Sequence, residues 1–159
     1  MIYKTSLDKV AILITVAVTI LFAGIICGQY SIIKDAGRAV PIYTTIACVL
    51  IYLLAFVFRP ITYIMTDDEL IIHRLIWNIH IKKSDIKSVE LIDKKKIRGS
   101  IRLFGVGGLF GYYGRFANFE LGSMTWYATR RDRTVLIITL DNKKIILTPD
   151  NPGSFVAGF

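Results

Sequence analysis

Two long uncharged runs dominate the first third of the chain. Val10 to Gly28 reads VAILITVAVTILFAGIICG, and Pro41 to Phe58 reads PIYTTIACVLIYLLAFVF. A helix that crosses a bilayer needs roughly 20 mostly apolar residues. Both runs are near that length, and basic residues bound them: Lys9 before the first and Arg59 after the second. The pattern predicts a transmembrane helical hairpin with spans over about 10–28 and 41–58. A cleaved signal peptide fits the first run less well. The run is longer than the ~7–15 residues of a signal core, and no small-x-small site leads from it into a soluble domain.

Past Arg59 the period changes. ITYIMT (61–66), ELIIHRLI (69–76), IHIKKSDI (79–86), IKSVELI (86–92), TWYAT (125–129), TVLIITL (134–140) and KIILT (144–148) are short runs rich in β-branched and aromatic residues. Turn-forming TDDE, RRDR and DNKK separate several of them. Repeated short strands with turn chemistry between them predict an antiparallel meander. In TPDNPGSF, Asp150 or Asn151 can cap a helix that has Pro152 in its first turn. The chain thus divides into a helical hairpin over 1–59 and a β domain over 60–159.

Charge orients this picture. The net charge is +8, and sixteen of the twenty Lys and Arg residues lie from Arg59 onward. The N-terminal flank (Lys4, Lys9) and the connection Gln29–Val40 (Lys34 and Arg38 against Asp35) nearly cancel. The positive-inside tendency then places both termini, and the β domain, in the cytoplasm. Cys27 and Cys48 fall inside the spans, which argues against a secreted disulfide framework. Gly24 and Gly28 on the first span share a depth with Thr44, Ala47 and Cys48 on the second. Small residues permit close helix approach, so these five are candidates for packing within the hairpin or between copies.

Four stretches, in order, resemble the successive blocks of bacterial pleckstrin-homology-like (PH-like) domains. They are YIMTDDELIIHRLIWNIHIKKSDIKSVELID, GVGGLFGYYGRF, GSMTWYATRRDRTVLIIT and LTPDNPGSFV, and they cover about Tyr63 to Val156. The resemblance implies a mainly-β PH-like fold, a bent antiparallel sandwich or partial barrel with a C-terminal helix over one end. It also implies a domain that is often membrane-attached and has no established catalysis. With only about two helical turns before Phe159, that end of the barrel is expected to be poorly covered or closed by a partner.

The glycine-rich stretch from Gly105 to Phe116 is no phosphate-binding loop. No Lys-Ser or Lys-Thr follows it as a Walker motif requires, and its spacing misses the dinucleotide fingerprint. It reads as a shaped loop whose glycines serve backbone geometry, with Phe104, Phe110, Tyr112, Tyr113 and Phe116 packed beneath. The alternative is an aromatic loop resting on the membrane interface.

Lys94, Lys95, Lys96, Arg98 and Arg102, with Tyr112, Tyr113 and Arg115, are the candidate contacts to anionic lipid or to a partner. Each basic residue near an anionic surface contributes ~1 kcal/mol. A solvated loop accounts for the same charges. The eukaryotic lipid-binding version of the fold that the resemblance implies carries basic residues on its first hairpin turn; here that turn is Asp67-Asp68-Glu69, the wrong sign for inositol-phosphate recognition by that route. A turn at Trp77-Asn78 would set His73 opposite Lys82 and His80 opposite Leu75, making the two imidazoles diagonal neighbours, but two ligands fall short of a zinc site. Asp85, Glu90 and Asp93 lack paired acid–base spacing, Ser123 lacks a nucleophile elbow, and Arg130, Arg131 and Arg133 sit in a strand-to-strand turn. No catalytic, cofactor-binding or metal residue emerges, and no cofactor or nucleic acid is expected. The expectation is a non-enzymatic, membrane-anchored binding or scaffold module at the cytoplasmic membrane, docking a protein partner or anionic lipid. The alternative is an enzyme or enzyme subunit with an unrecognised site.

Overall fold

The computed structural model describes residues 1–32 and 39–159; Lys34, Asp35 and Arg38 of the connection between the apolar runs lie outside them. A short strand, β1 (Ile2–Lys4), precedes two helices, α1 (Lys9–Ile32) and α2 (Ala39–Val57). The β domain then runs β2 (Pro60–Met65), β3 (Glu69–Arg74), β4 (Ile79–Lys82), β5 (Ile86–Ile92), a single turn α3 (Lys94–Ile97), β6 (Ile101–Gly108), β7 (Gly111–Asn118), β8 (Gly122–Ala128), β9 (Thr134–Thr139), β10 (Lys144–Leu147) and α4 (Pro152–Ala157).

Both helices are long and apolar enough to cross a membrane, and few of their residues are buried by the rest of the chain. The strands form two sheets, ordered β1-β2-β3-β4 and β5-β9-β10-β8-β7-β6, and no closed barrel. This is the PH-like sandwich with a short C-terminal helix. One pair departs from the expected antiparallel meander, since β8 and β10 run parallel. The TVLIIT of β9 explains why an unbroken apolar run sits so well here. Val135 and Ile137 face one core cluster while Leu136 faces the other, so both faces of the strand are covered. The first cluster holds Tyr63, Leu70, Ile72, Leu147 and Phe155. The second holds Phe116 stacked on Trp126 at 4.6 Å, with Tyr112, Met124 and Ile146. At the centre, the Tyr63 hydroxyl donates to the carbonyl oxygen of Tyr127 (2.5 Å) and accepts from the Thr148 amide (3.1 Å).

Three sequence expectations change. Residues 2–4, grouped above with the helical hairpin, form the edge strand beside β2, with Tyr3 opposite Tyr63. That strand also settles the end of the sandwich expected to be poorly covered. Asn151 caps α4 through Ser154. Phe155 is fully buried, with the Tyr3 ring edge-on at 5.0 Å and Tyr63 at 6.0 Å. Finally, the β3–β4 turn is wider than Trp77-Asn78. His80 faces Ile71 rather than Leu75, and His73 faces Thr62 on the other neighbour, so the register shifts although His73 keeps a diagonal position to His80. The Asn78 side chain accepts from the Arg74 amide (3.0 Å) and the Trp77 carbonyl from the Arg74 guanidinium, which holds the wider turn. His80 instead contacts Glu69 through Nδ1 at 3.0 Å.

Candidate functional site

The stretch from Gly105 to Phe116 is not a long loop. It is most of the β6–β7 hairpin, closed by Leu109-Phe110, with Gly108 opposite Gly111 and Gly105 opposite Gly114. Glycine is disfavoured in strands, which is why the stretch reads as a loop. Its use here is steric. A Cβ on Gly105 would overlap the Tyr113 carbonyl oxygen, and one on Gly114 the Phe104 carbonyl oxygen; both residues have φ near the left-handed side, at 101° and 122°. The facing glycines let two backbones approach and bend where side chains would hold them apart.

The bend lays the hairpin tip against both apolar helices. The Phe110 ring stands edge-on to Tyr52 (5.0 Å) and Phe56 (5.3 Å) of α2. Its amide donates to Thr15 Oγ1 of α1 (3.0 Å). The Tyr113 hydroxyl donates to the carbonyl oxygen of Ala55. Arg59 lies over the Phe56 ring at 4.4 Å and near Phe110 at 5.8 Å. At the start of α1, Asp8 accepts from the amides of Ala11 (2.7 Å) and Arg131 (3.1 Å) and from the Tyr112 hydroxyl (3.2 Å). Burial raises the Tyr113 phenol, opposed by the Arg59 charge. Burial, then the Asp8 charge, push Tyr112 up to about 12.

Both candidate tyrosines are buried within the chain, Tyr112 at 1% and Tyr113 at 7% exposure, and Tyr113 also lines the groove described below. The large exposed apolar side chains of the hairpin are Ile101, Leu103 and Phe104; sequence reasoning placed Phe104 underneath.

The basic residues separate into two places. Lys94, Lys95 and Lys96 form α3, capped by Asp93, whose carboxylate accepts from the Lys95 amide (2.8 Å). Lys94, Lys95 and Arg98 line an open cavity of about 510 Å³ with Arg131. Arg102 and Arg115 lie elsewhere. With Arg74 they line a groove of about 1090 Å³ between the outer face of β6–β8 and the two helices. The groove was not legible in the sequence, because it needs residues from both helices and from strands up to β8. Tyr127 sits on its wall, its phenol raised by burial and lowered less by Arg74.

Within the helical pair, Thr19 Oγ1 meets the Tyr52 hydroxyl (3.0 Å), and Gln29 Nε2 donates to Thr45 Oγ1 (2.9 Å) and the Pro41 carbonyl (3.2 Å). Cys48 is buried and Ala47 exposed, and Thr44 bonds back to the Val40 carbonyl. Among the described residues, a Cβ on Gly24 or Gly28 would meet no atom within 4 Å, so these glycines are not points of close approach to any of them. Among the described residues no three His, Cys, Asp or Glu side chains gather as a metal site would require.

A family model described as "Bacterial PH domain" matches residues 61–158, well over half the chain. No curated protein and no solved structure matches.

Proposed function

The chain belongs to the bacterial PH domain family, and from that premise we propose that it is a non-enzymatic binding module fixed to the cytoplasmic face of the cell membrane by two transmembrane helices. One observation carries this reading. Strand β1 precedes α1, β2 follows α2, and the two are paired in one sheet, Ile2 opposite Ile64 and Lys4 opposite Thr62. A helical pair whose two outer ends join the same sheet can cross a bilayer only as a hairpin, with the β domain on one side. The basic surplus of that domain then selects the cytoplasmic side. The module docks anionic lipid or a protein partner. Supporting this are the Lys and Arg surplus of the β domain and membership in a family whose domains typically serve as binding modules.

Reporter fusions test the topology. A fusion after Phe159 is expected to report a cytoplasmic location, and one inserted at 33–38 a periplasmic one. A periplasmic C-terminus overturns the reading.

A further inference from the structure

We propose that the groove between the helical pair and β6–β8 is a binding site for a single anionic phospholipid, with its acyl chain on the helices and its phosphate on Arg102 and Arg115. This rests on the membrane-anchored reading above and adds the site and the ligand.

The two walls of the groove differ in chemistry. The helix wall is entirely apolar, running from Phe58 beside the polar boundary to Ile51 and Leu54 on α2 and to Leu21 and Phe22 on α1. Every charged residue is on the β wall, all three are arginines, and no Asp or Glu lines the groove. An amphiphile with an anionic head matches that division. A neutral apolar ligand would leave the guanidinium groups unmatched. Pockets for compact ligands measure roughly 300–1,000 Å³; about 1090 Å³ holds a headgroup and a length of chain.

Two of the arginines are uncommitted. Among the described residues, neither the Arg102 nor the Arg115 guanidinium has a hydrogen-bond or ion-pair partner, whereas those of Arg130 (Asp132, Asp150), Arg133 (the Asp150 carbonyl) and Arg74 do. Arg74 is partly engaged by the Trp77 carbonyl (2.6 and 2.9 Å) and borders the site. Arg115 is held between Phe104 on β6 and Thr125 on β8, in register with both. A planar guanidinium can hold phosphate through two parallel hydrogen bonds, which a Lys point charge cannot do.

Gly107 supports the assignment independently. Gly105, Gly108, Gly111 and Gly114 have positive φ; Gly107 does not. Its backbone accepts any residue, yet a Cβ there would sit 3.3 Å from Arg102 Cδ and 3.4 Å from Nη1. The missing side chain leaves the space in which Arg102 lies along the groove wall.

The test uses the full chain purified in dodecyl maltoside. It is mixed with dioleoyl phosphatidylglycerol or dioleoyl phosphatidylcholine at equal concentration, and bound lipid is counted by native mass spectrometry. Retention of the phosphatidylglycerol is expected to exceed that of the phosphatidylcholine by about tenfold or more. It is expected to fall about as much in Arg102→Gln/Arg115→Gln and in Gly107→Val, the second of which removes no charge. The triple variant Lys94→Gln/Lys95→Gln/Lys96→Gln should bind as the parent does. Equal retention of the two lipids, undiminished retention in either groove variant, or an equal loss in the lysine variant overturns the proposal. So does displacement by millimolar inorganic phosphate, which would mean an anion site without a chain. Retention in detergent does not depend on topology. A failed reporter-fusion result therefore overturns the membrane reading, whereas a failed lipid result with correct topology removes only the groove.

Discussion

The Tyr113 hydroxyl donates to the carbonyl oxygen of Ala55, joining the β6–β7 hairpin to the last turn of α2. The last four carbonyls of a helix have no partner in the helix itself, and this one is satisfied by the β domain. The bond is buried. Tyr113→Phe keeps the ring and leaves the acceptor orphaned, which costs about 1–3 kcal/mol. In detergent micelles the variant is expected to melt several degrees lower than the parent, with an unchanged far-ultraviolet spectrum. An unchanged melting temperature would mean that the hairpin is not fastened to α2 through this bond.

Gly105 and Gly114 face one another across β6 and β7, and each would drive a side chain into the opposite backbone. Backbone cannot swing aside as a flexible side chain can. Gly105→Ala or Gly114→Ala is expected to destabilise by more than the ~1 kcal/mol of left-handed strain alone. Gly99→Ala supplies the comparison, since Gly99 has φ of 74° but open space around it. Equal losses at all three positions, read by denaturant titration, would show that conformation rather than close approach selects these glycines.

The sequence shows the apolar helices because length and composition suffice for them. It shows β2–β5, β9 and β10 because Ile-rich runs alternate with turn residues. It hides β6 and β7 because their glycines oppose strand propensity and are tolerated only where two strands bend together. It hides β1 because IYK is too short to carry a period, and its partner β2 lies beyond both helices. The basic candidates are visible as residue types, but their separation into the α3 cavity and the arginine groove depends on the course of β6. Tyr112 and Tyr113 look like surface aromatics until the docking of the hairpin buries them.

Asp8 and Tyr112 link the start of α1 to alkaline stability. The Tyr112 phenol is raised to about 12 by burial and then by the Asp8 charge, whereas an unfolded tyrosine ionises near ~10. A group whose folded pKa is raised contributes stability that is complete below the unfolded value. That contribution is lost as pH climbs from about 10 through about 12. Asp8→Asn removes the charge and keeps a polar side chain at the first turn. Tyr112 is then expected to ionise at lower pH, though still above an exposed tyrosine, because burial is the larger cause. The check is phenolate absorbance near 295 nm, compared with Tyr112→Phe to isolate the one group. A Tyr112 transition that does not move in Asp8→Asn would sever the link.

Tyr3 tests whether the residues before α1 belong to the β domain. Its ring packs edge-on to Phe155 at 5.0 Å, its hydroxyl donates to the Ser154 carbonyl at 3.1 Å, and it is only 9% exposed. Just beyond it, Ser6 Oγ donates to Asp150 Oδ1 (2.5 Å) and Arg130 joins the same carboxylate (3.1 Å). Residues before the first helix are thus sewn to the C-terminal end of the sandwich. Tyr3→Phe loses one hydrogen bond at the edge of the core and is expected to cost about 1 kcal/mol. Tyr3→Ala also opens a cavity beside Phe155, and large-to-small aromatic changes in cores cost roughly 3–5 kcal/mol, with the lower end fitting a site at a sheet edge. Denaturant titration of the full chain in micelles should rank parent, Tyr3→Phe and Tyr3→Ala in that order. Limited proteolysis should show α4 released first in Tyr3→Ala, because Phe155 loses its cover. If Tyr3→Ala is as stable as the parent, the N-terminal strand is an ornament on β2, and the same-side topology loses its structural support.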